Sequence, residues 1–214
     1  MLPLHDDIPT KIFPIVTVVL ITLNVLIYLW GLSILPEEMV MVYYQFGMIP
    51  NTISDSPWKG TPTIISGMFL HGGFMHLAGN MLYLWIFGNN IEDALGKFRF
   101  ILFYFVCGAI AAFSHAFTNM GSDVPMIGAS GAIAGVLGGY MVLFPRAKVK
   151  TLVFLGFFVT IIRIPAIVLL LIWMGLQVFN SLNMPADGEG VAWLAHIGGF
   201  VAGMILIIPF RDKV

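Results

Sequence analysis

Apolar runs close to the length of a bilayer crossing recur along almost the whole chain, and they restrict it to folds that live inside a membrane. Six can be read, at about 13–32, 74–91, 98–118, 129–145, 164–183 and 193–210. Each is near or slightly below the ~20 residues that a helical span requires. Of the 214 residues 59% are hydrophobic and only 10% charged, where soluble domains carry about 25% charge. The expected architecture is an all-α polytopic membrane protein, a bundle of six transmembrane helices forming one domain over residues 1–214. A shorter apolar segment, 151–162, sits between Lys150 and Arg163 and is expected to be interfacial or re-entrant rather than spanning. The net charge of −1 gives no reason to expect a nucleic-acid partner. Cys107 is alone, so no intramolecular disulfide can form.

Lysine and arginine placement orients the bundle. With a cytoplasmic N-terminus, nine basic residues fall inside (Lys11, Lys97, Arg99, Arg146, Lys148, Lys150, Arg163, Arg211 and Lys213) and only Lys59 outside. That asymmetry is the positive-inside pattern. It requires an even number of spans and puts both termini in the cytoplasm. The N-terminus lacks the basic start of a signal peptide, so the first run is expected to be retained. Short loops and no targeting signal point to a prokaryotic cell membrane. The 33–63 segment, rich in Met, Tyr and Pro, is expected to lie partly in the outer interface.

Against this background the polar residues inside spans stand out, because such groups are costly in lipid and mark function by default. Ser130 lies in Gly128-Ala129-Ser130-Gly131, His196 in Ala195-His196-Ile197-Gly198-Gly199, and His71, His76 and Asn80 precede or begin the second run. Ser130 is 16 residues before Arg146, His196 is 15 before Arg211, and His76 is 16 before Glu92. At 1.5 Å per residue these separations are roughly 22–24 Å, so three independent segments bring their polar groups to one depth. Gly131, Gly135 and Gly138 on the fourth run, and Gly199 and Gly203 on the sixth, have the spacing that lets two helix backbones approach closely. Taken singly, a glycine-serine stretch or an asparagine in a span is ordinary helix packing; the joint occurrence at one depth is not.

A hydroxyl, an imidazole and further donors are the parts of an acyl-transfer site. A serine nucleophile needs a base, which His196 can supply. The developing oxyanion needs donors, and His76 and Asn80, four residues apart on one helix face, can provide them. Ser130 precedes the body of a helix whose N-terminal amides have no intrahelical partner and favour negative charge. No acid is placed to complete a triad: Asp123, Asp187 and Glu189 are in outer loops and Glu92 is at the opposite face. The residues thus point to a Ser–His dyad, with Asp123 or Asp187 dipping inward to assist His196 as the alternative. His5 and His115 are assigned no role.

These segments, from His71-Gly72-Gly73-Phe74-Met75-His76-Leu77-Ala78-Gly79-Asn80 through Gly128-Ala129-Ser130-Gly131 to Ala195-His196-Ile197-Gly198-Gly199, resemble the rhomboid family of intramembrane serine proteases. The resemblance covers nearly the whole chain. It implies a Ser130 nucleophile, a His196 base, and oxyanion donors from His76, Asn80 and the Ser130 N–H. Gly128 and Ala129 would shape the hole, and His71 would line the water-accessible cavity. It implies no cofactor and no metal. Its implied partners are lipids and transmembrane protein substrates that arrive sideways from the bilayer, at a site opening to the extracytoplasmic side. Two features depart from the pattern. A Trp-Arg pair found in some members is replaced by Pro62 and Thr63, and a tyrosine that stacks on the histidine is replaced by Ala134. Glu92 and Gly96 match a structural turn of the family.

Other readings are a catalytically inactive relative that binds membrane proteins, a small transporter and a metalloprotease. The chain shows no paired halves, no intramembrane carboxylate for ion coupling and no His-Glu-x-x-His. The fifth run, with Trp173, Leu176, Phe179 and Leu182, is a candidate gate, and the Asn183–Val191 loop that follows it a candidate cap.

Overall fold

A computed structural model describes residues 1–156, 158–183 and 192–213. The long helices are α1 (Ile15–Gly31), α7 (Lys97–Thr118), α8 (Ser130–Leu143), α9 (Ala166–Asn183) and α10 (Trp193–Leu206). A sixth rod joins α5 (Phe74–Tyr83) to α6 (Asn89–Leu95) through a π-helical turn at Leu84–Gly88. All six lie where the apolar runs place them. By length and composition α7 and α9 can cross a membrane, and α1, α8 and α10 are shorter apolar helices. Between α1 and α5 the chain folds into α2 (Pro36–Phe46), α3 (Pro50–Asp55) and α4 (Pro57–Gly67). Each of these three opens on a proline, which is tolerated in the first turn because its missing N–H has no partner there.

α8 is the central helix. Every residue from Gly131 to Met141 is buried, as expected of a helix apolar on all sides. Its main neighbour is α10, and glycine makes the approach possible. A Cβ on Gly203 would strike the Gly135 carbonyl oxygen, one on Gly199 that of Gly131, and one on Gly138 that of Phe200. α7 closes another side, with Cys107 against Gly135 and Ala111 against Gly131.

Buried carboxylates fasten the N-terminal segment to the opposite end of the bundle from Ser130. Pro14, which precedes α1, supplies no side-chain cap. Glu92 caps the helix instead: its carboxylate accepts the Val16 N–H at 2.9 Å, the Thr17 N–H at 2.8 Å and the Thr17 hydroxyl at 2.9 Å. Asp93 accepts the Lys11 and Ile12 amides. Gly96, at φ +75°, then turns the chain into α7, a conformation that favours glycine. Asp6, also buried, accepts from Asn90 at 2.6 Å and from the Tyr140 hydroxyl at 2.5 Å.

The all-α expectation needs correction at this end. β1 (Leu2–His5), β2 (Lys148–Leu155) and β3 (Phe158–Pro165) form an antiparallel sheet in that order. The segment expected to be interfacial or re-entrant is a β-hairpin. Its sequence explains why: β-branched residues dominate, and Val149, Thr151 and Val153 are buried while Lys148, Lys150 and Phe154 are exposed. That is the period-two alternation of a strand. Arg211, Asp7 and Arg146 share one groove, so both chain ends lie at the same end of the bundle.

Replacing Glu92 by alanine leaves two buried amides and a hydroxyl without an acceptor. Hydrogen bonds to a charged group contribute about 1.5–3 kcal/mol each. We expect Glu92→Ala to destabilise by about 3 kcal/mol or more, read as a lower denaturation midpoint in detergent; an unchanged midpoint would remove Glu92 from its capping role. Burial raises the Asp6 pKa above its ordinary 3.8. A folded-state pKa raised in this way gives stability that is complete below the unfolded value and is lost as pH rises through the folded one. The melting-temperature advantage of the parent over Asp6→Asn should therefore shrink as pH rises from 4 upward; a difference that grows with pH contradicts the assignment.

Candidate active site

Ser130 is the first residue of α8, and the loop before it is pinned on several sides. Met126 and Met48 exchange backbone hydrogen bonds of 2.8 and 3.0 Å, the Asn51 N–H donates to the Ser122 carbonyl, and the Gly128 N–H donates to the Gly67 carbonyl. No side chain caps α8, so its first amides remain available. Gly128 has φ +115°, and a Cβ there would also stand 2.7 Å from the His76 ring. Both conformation and space demand glycine at this position.

His196 is buried on the first turn of α10. Its Nε2 lies 2.7 Å from Ser130 Oγ, and its Nδ1 lies 2.8 Å from Gln177 Oε1 on α9. The Gln177 Nε2 donates to the Trp173 carbonyl at 3.4 Å, which turns Oε1 toward the histidine. An amide oxygen only accepts, so Nδ1 carries the proton and Nε2 is free to accept from serine. The Trp173 ring lies 5.8 Å from the imidazole and the Trp193 ring 6.3 Å away, nearly perpendicular. These contacts occupy the role left open by Ala134, which is buried in α8.

Facing this pair, α5 contributes His76 and, one turn on, Asn80. His76 is exposed to the cavity and Asn80 is buried. A cavity of about 1030 Å³ is lined by Ser130, His196, His76, Asn80, Gln177 and Gly128, among others. His71 does not line it. This histidine is 2% exposed, and its Nε2 lies 2.9 Å from Asn80 Nδ2, behind the asparagine. The expected cavity role is corrected for a steric reason: the Gly72-Gly73 turn folds His71 back under α5, where its backbone carbonyl accepts from Tyr43. An asparagine amide has two hydrogens, so one is held by His71 and one remains to point elsewhere.

Ser130, His196, His76, Asn80 and Gly128 thus come together, from three helices and one loop, while Ala129, just before Ser130, is fully buried and does not line the cavity. Gln177 escaped the sequence reading, although the signal was there: it is a polar residue in an apolar run, subject to the same cost argument as the others. His115, given no role, also reaches the cavity wall. Asp123 is taken by Asn51 at 3.0 Å. Asp187, Glu189 and nearly all of the proposed cap loop lie outside the described residues. Pro62 and Thr63 are inside α4, with the Thr63 hydroxyl donating to the Gly60 carbonyl. A hydroxyl hydrogen-bonded to an oriented neutral imidazole, with amide and imidazole donors across a cavity, is competent for acyl transfer.

The rhomboid domain model matches residues 58–213. The chain is 38% identical over 152 residues to rhomboid protein 1, mitochondrial, of Saccharomyces cerevisiae, covering 67% of this chain and 40% of that one. It is 33% identical over 142 residues to the putative rhomboid protease YdcA of Bacillus subtilis, covering 63% and 65%. To the rhomboid protease GluP of the same organism it is 34% identical over 145 residues, covering 65% and 24%. The chain spans less than two thirds of the length of each of these relatives. Relatives from mitochondria and bacteria alike, a matching domain over most of the chain and a helical bundle lead to one conclusion: this chain belongs to the rhomboid family of integral membrane proteins, which includes serine proteases.

Proposed function

We propose that this chain is an intramembrane serine endopeptidase working through a Ser130–His196 dyad. The observation that carries this reading is the 2.7 Å contact between Ser130 Oγ and His196 Nε2 at the wall of a cavity that also holds His76 and Asn80. Ser130 attacks the scissile carbonyl while His196 Nε2 takes its proton. The Ser130 N–H, His76 and Asn80 stabilise the oxyanion. His196 then protonates the leaving amine, and a water from the cavity hydrolyses the acyl-enzyme by the reverse proton path. Gln177 holds the imidazole in the tautomer this requires. An inactive binding role has less support, since it leaves an oriented dyad without a use.

The substrate in this reading is a transmembrane segment of another protein, reaching the site sideways from lipid along α9. That helix buries only Ala166, Leu169, Leu170 and Gln177. Three of these lie at its β3 end, so toward the cavity it is held mainly through Gln177 and the Trp173 ring against His196 and Phe200, while Leu176, Phe179 and Leu182 are exposed. In this proposal the bundle crosses a prokaryotic cell membrane six times; the basic residues at one end support a cytoplasmic position for that end, with the cavity opening to the extracytoplasmic side. At 14 residues, α8 is roughly 21 Å long. That is shorter than the ~30 Å hydrocarbon layer and supports a serine set below the outer surface.

A fluorophosphonate probe applied to the detergent-solubilised protein should label Ser130, with labelling lost in Ser130→Ala and slowed about a thousandfold or more in His196→Ala. Labelling that persists in Ser130→Ala overturns the reading. Gln177→Ala should lower kcat about tenfold, the equivalent of one hydrogen bond of about 1.4 kcal/mol, with little change in KM. A KM effect alone would show that Gln177 serves substrate binding and not the imidazole.

A further inference from the structure

The hairpin of β2 and β3 has no part in the chemistry, yet its surface is strongly patterned. Cross-strand partners on its outward face run Lys148–Pro165, Lys150–Arg163, Leu152–Ile161 and Phe154–Val159 from base to tip. The base is basic and the tip apolar. Lys150 and Arg163 are exposed and directly opposite each other, an arrangement that is destabilising unless an anion lies between or over the pair. Among the described residues no carboxylate forms an ion pair with either. Asp7, at the base of the sheet, accepts the Lys148 backbone N–H.

The tip is apolar on both faces. Phe154, Val159 and Ile161 are 60%, 57% and 58% exposed on one side, and Phe158 and Ile162 are 77% and 43% exposed on the other. On β3 only Ile164 is buried, so the strand overhangs the bundle. A protein partner would cover one face, whereas lipid surrounds both. β3 is also an edge strand, and its open backbone groups forbid the hydrocarbon core. The depth that satisfies all of these is the boundary of headgroups and acyl chains, where amphipathic elements with basic flanks bind anionic lipid.

We propose that this hairpin docks on anionic lipid in the leaflet at the α8 C-terminal end, with its tip at the headgroup boundary and Lys150 and Arg163 on lipid phosphates. The proposal rests on the membrane-spanning reading of the bundle, and the experiment separates the two. Spin labels are placed one at a time at Phe158→Cys and at Leu171→Cys, an exposed position on α9; Cys107 is fully buried and stays unlabelled. The full chain is reconstituted in phosphatidylcholine vesicles with or without phosphatidylglycerol, and accessibility to oxygen is compared with that to an aqueous nickel chelate. The ratio at position 158 should rise several-fold with phosphatidylglycerol and fall back in Lys150→Glu/Arg163→Glu. A label equally open to nickel in both lipids, or insertion indifferent to the charge reversal, overturns the proposal. Dipolar coupling between labels on two copies overturns it in favour of self-association. With the 171 label deep in the bilayer, any of these failures leaves the spanning reading intact; a 171 label in water overturns both.

Discussion

The contact on which the rest depends is backbone against backbone between α8 and α10. Gly135 and Gly203, Gly131 and Gly199, and Gly138 and Phe200 meet without intervening side chains. In lipid there is little hydrophobic gain from joining two helices, so close packing of this kind supplies the attraction. It also fixes geometry. Ser130 lies one residue before Gly131 and His196 three before Gly199, so a register set by the glycines brings oxygen and imidazole nitrogen to 2.7 Å. A side chain at Gly203 would meet the Gly135 carbonyl oxygen and force the axes apart. Both stability and the Ser130–His196 contact would then be lost together.

The opposing wall is held differently. α5 reaches the site through its packing on the loop before Ser130, where Gly128 leaves room for the His76 ring. That loop is tied to the α2–α4 segment by the Met48–Met126 pair and the Gly67 carbonyl. The region between α1 and α5 therefore braces the backbone that carries Ser130, the proposed nucleophile. Preorganised donors work only if they do not have to move when charge appears, and this bracing restricts that movement.

Helix positions and most of the residues that meet at the candidate site were legible in the sequence because they follow from chemistry that lipid makes costly. Apolar length marks a helix, and a polar group inside it marks a use. Gln177 obeys the same rule, but it lies mid-run in Trp173-Met174-Gly175-Leu176-Gln177-Val178, without the paired glycine or histidine motifs that mark the other segments. His71 was misplaced because a glycine pair leaves the chain direction open, and only the fold decides whether a side chain faces water or lies under its neighbour. The sheet was missed through its composition. Lys148-Val149-Lys150-Thr151-Leu152-Val153 alternates as a strand does, yet its apolar content in a membrane chain suggested an interfacial piece. Pairing with β1, about 150 residues earlier in the chain, is a long-range event that no local pattern reveals.

The use of an amide where soluble serine hydrolases place a carboxylate follows from the surroundings. Ser130, His196, Gln177, His76 and Asn80 can all be neutral at rest. A buried aspartate at the Gln177 position would be a lone charge facing apolar helices, a burden of several kcal/mol unless paired. An amide oxygen still fixes the tautomer and accepts the Nδ1 hydrogen, though it stabilises an imidazolium less. In the proposed mechanism the imidazolium and the oxyanion arise together and close by, so each serves as the other's counter-ion. The site then needs charge compensation only while the reaction intermediate exists, and the intermediate brings its own. A neutral, well-oriented dyad is thus the arrangement that the low-dielectric setting favours.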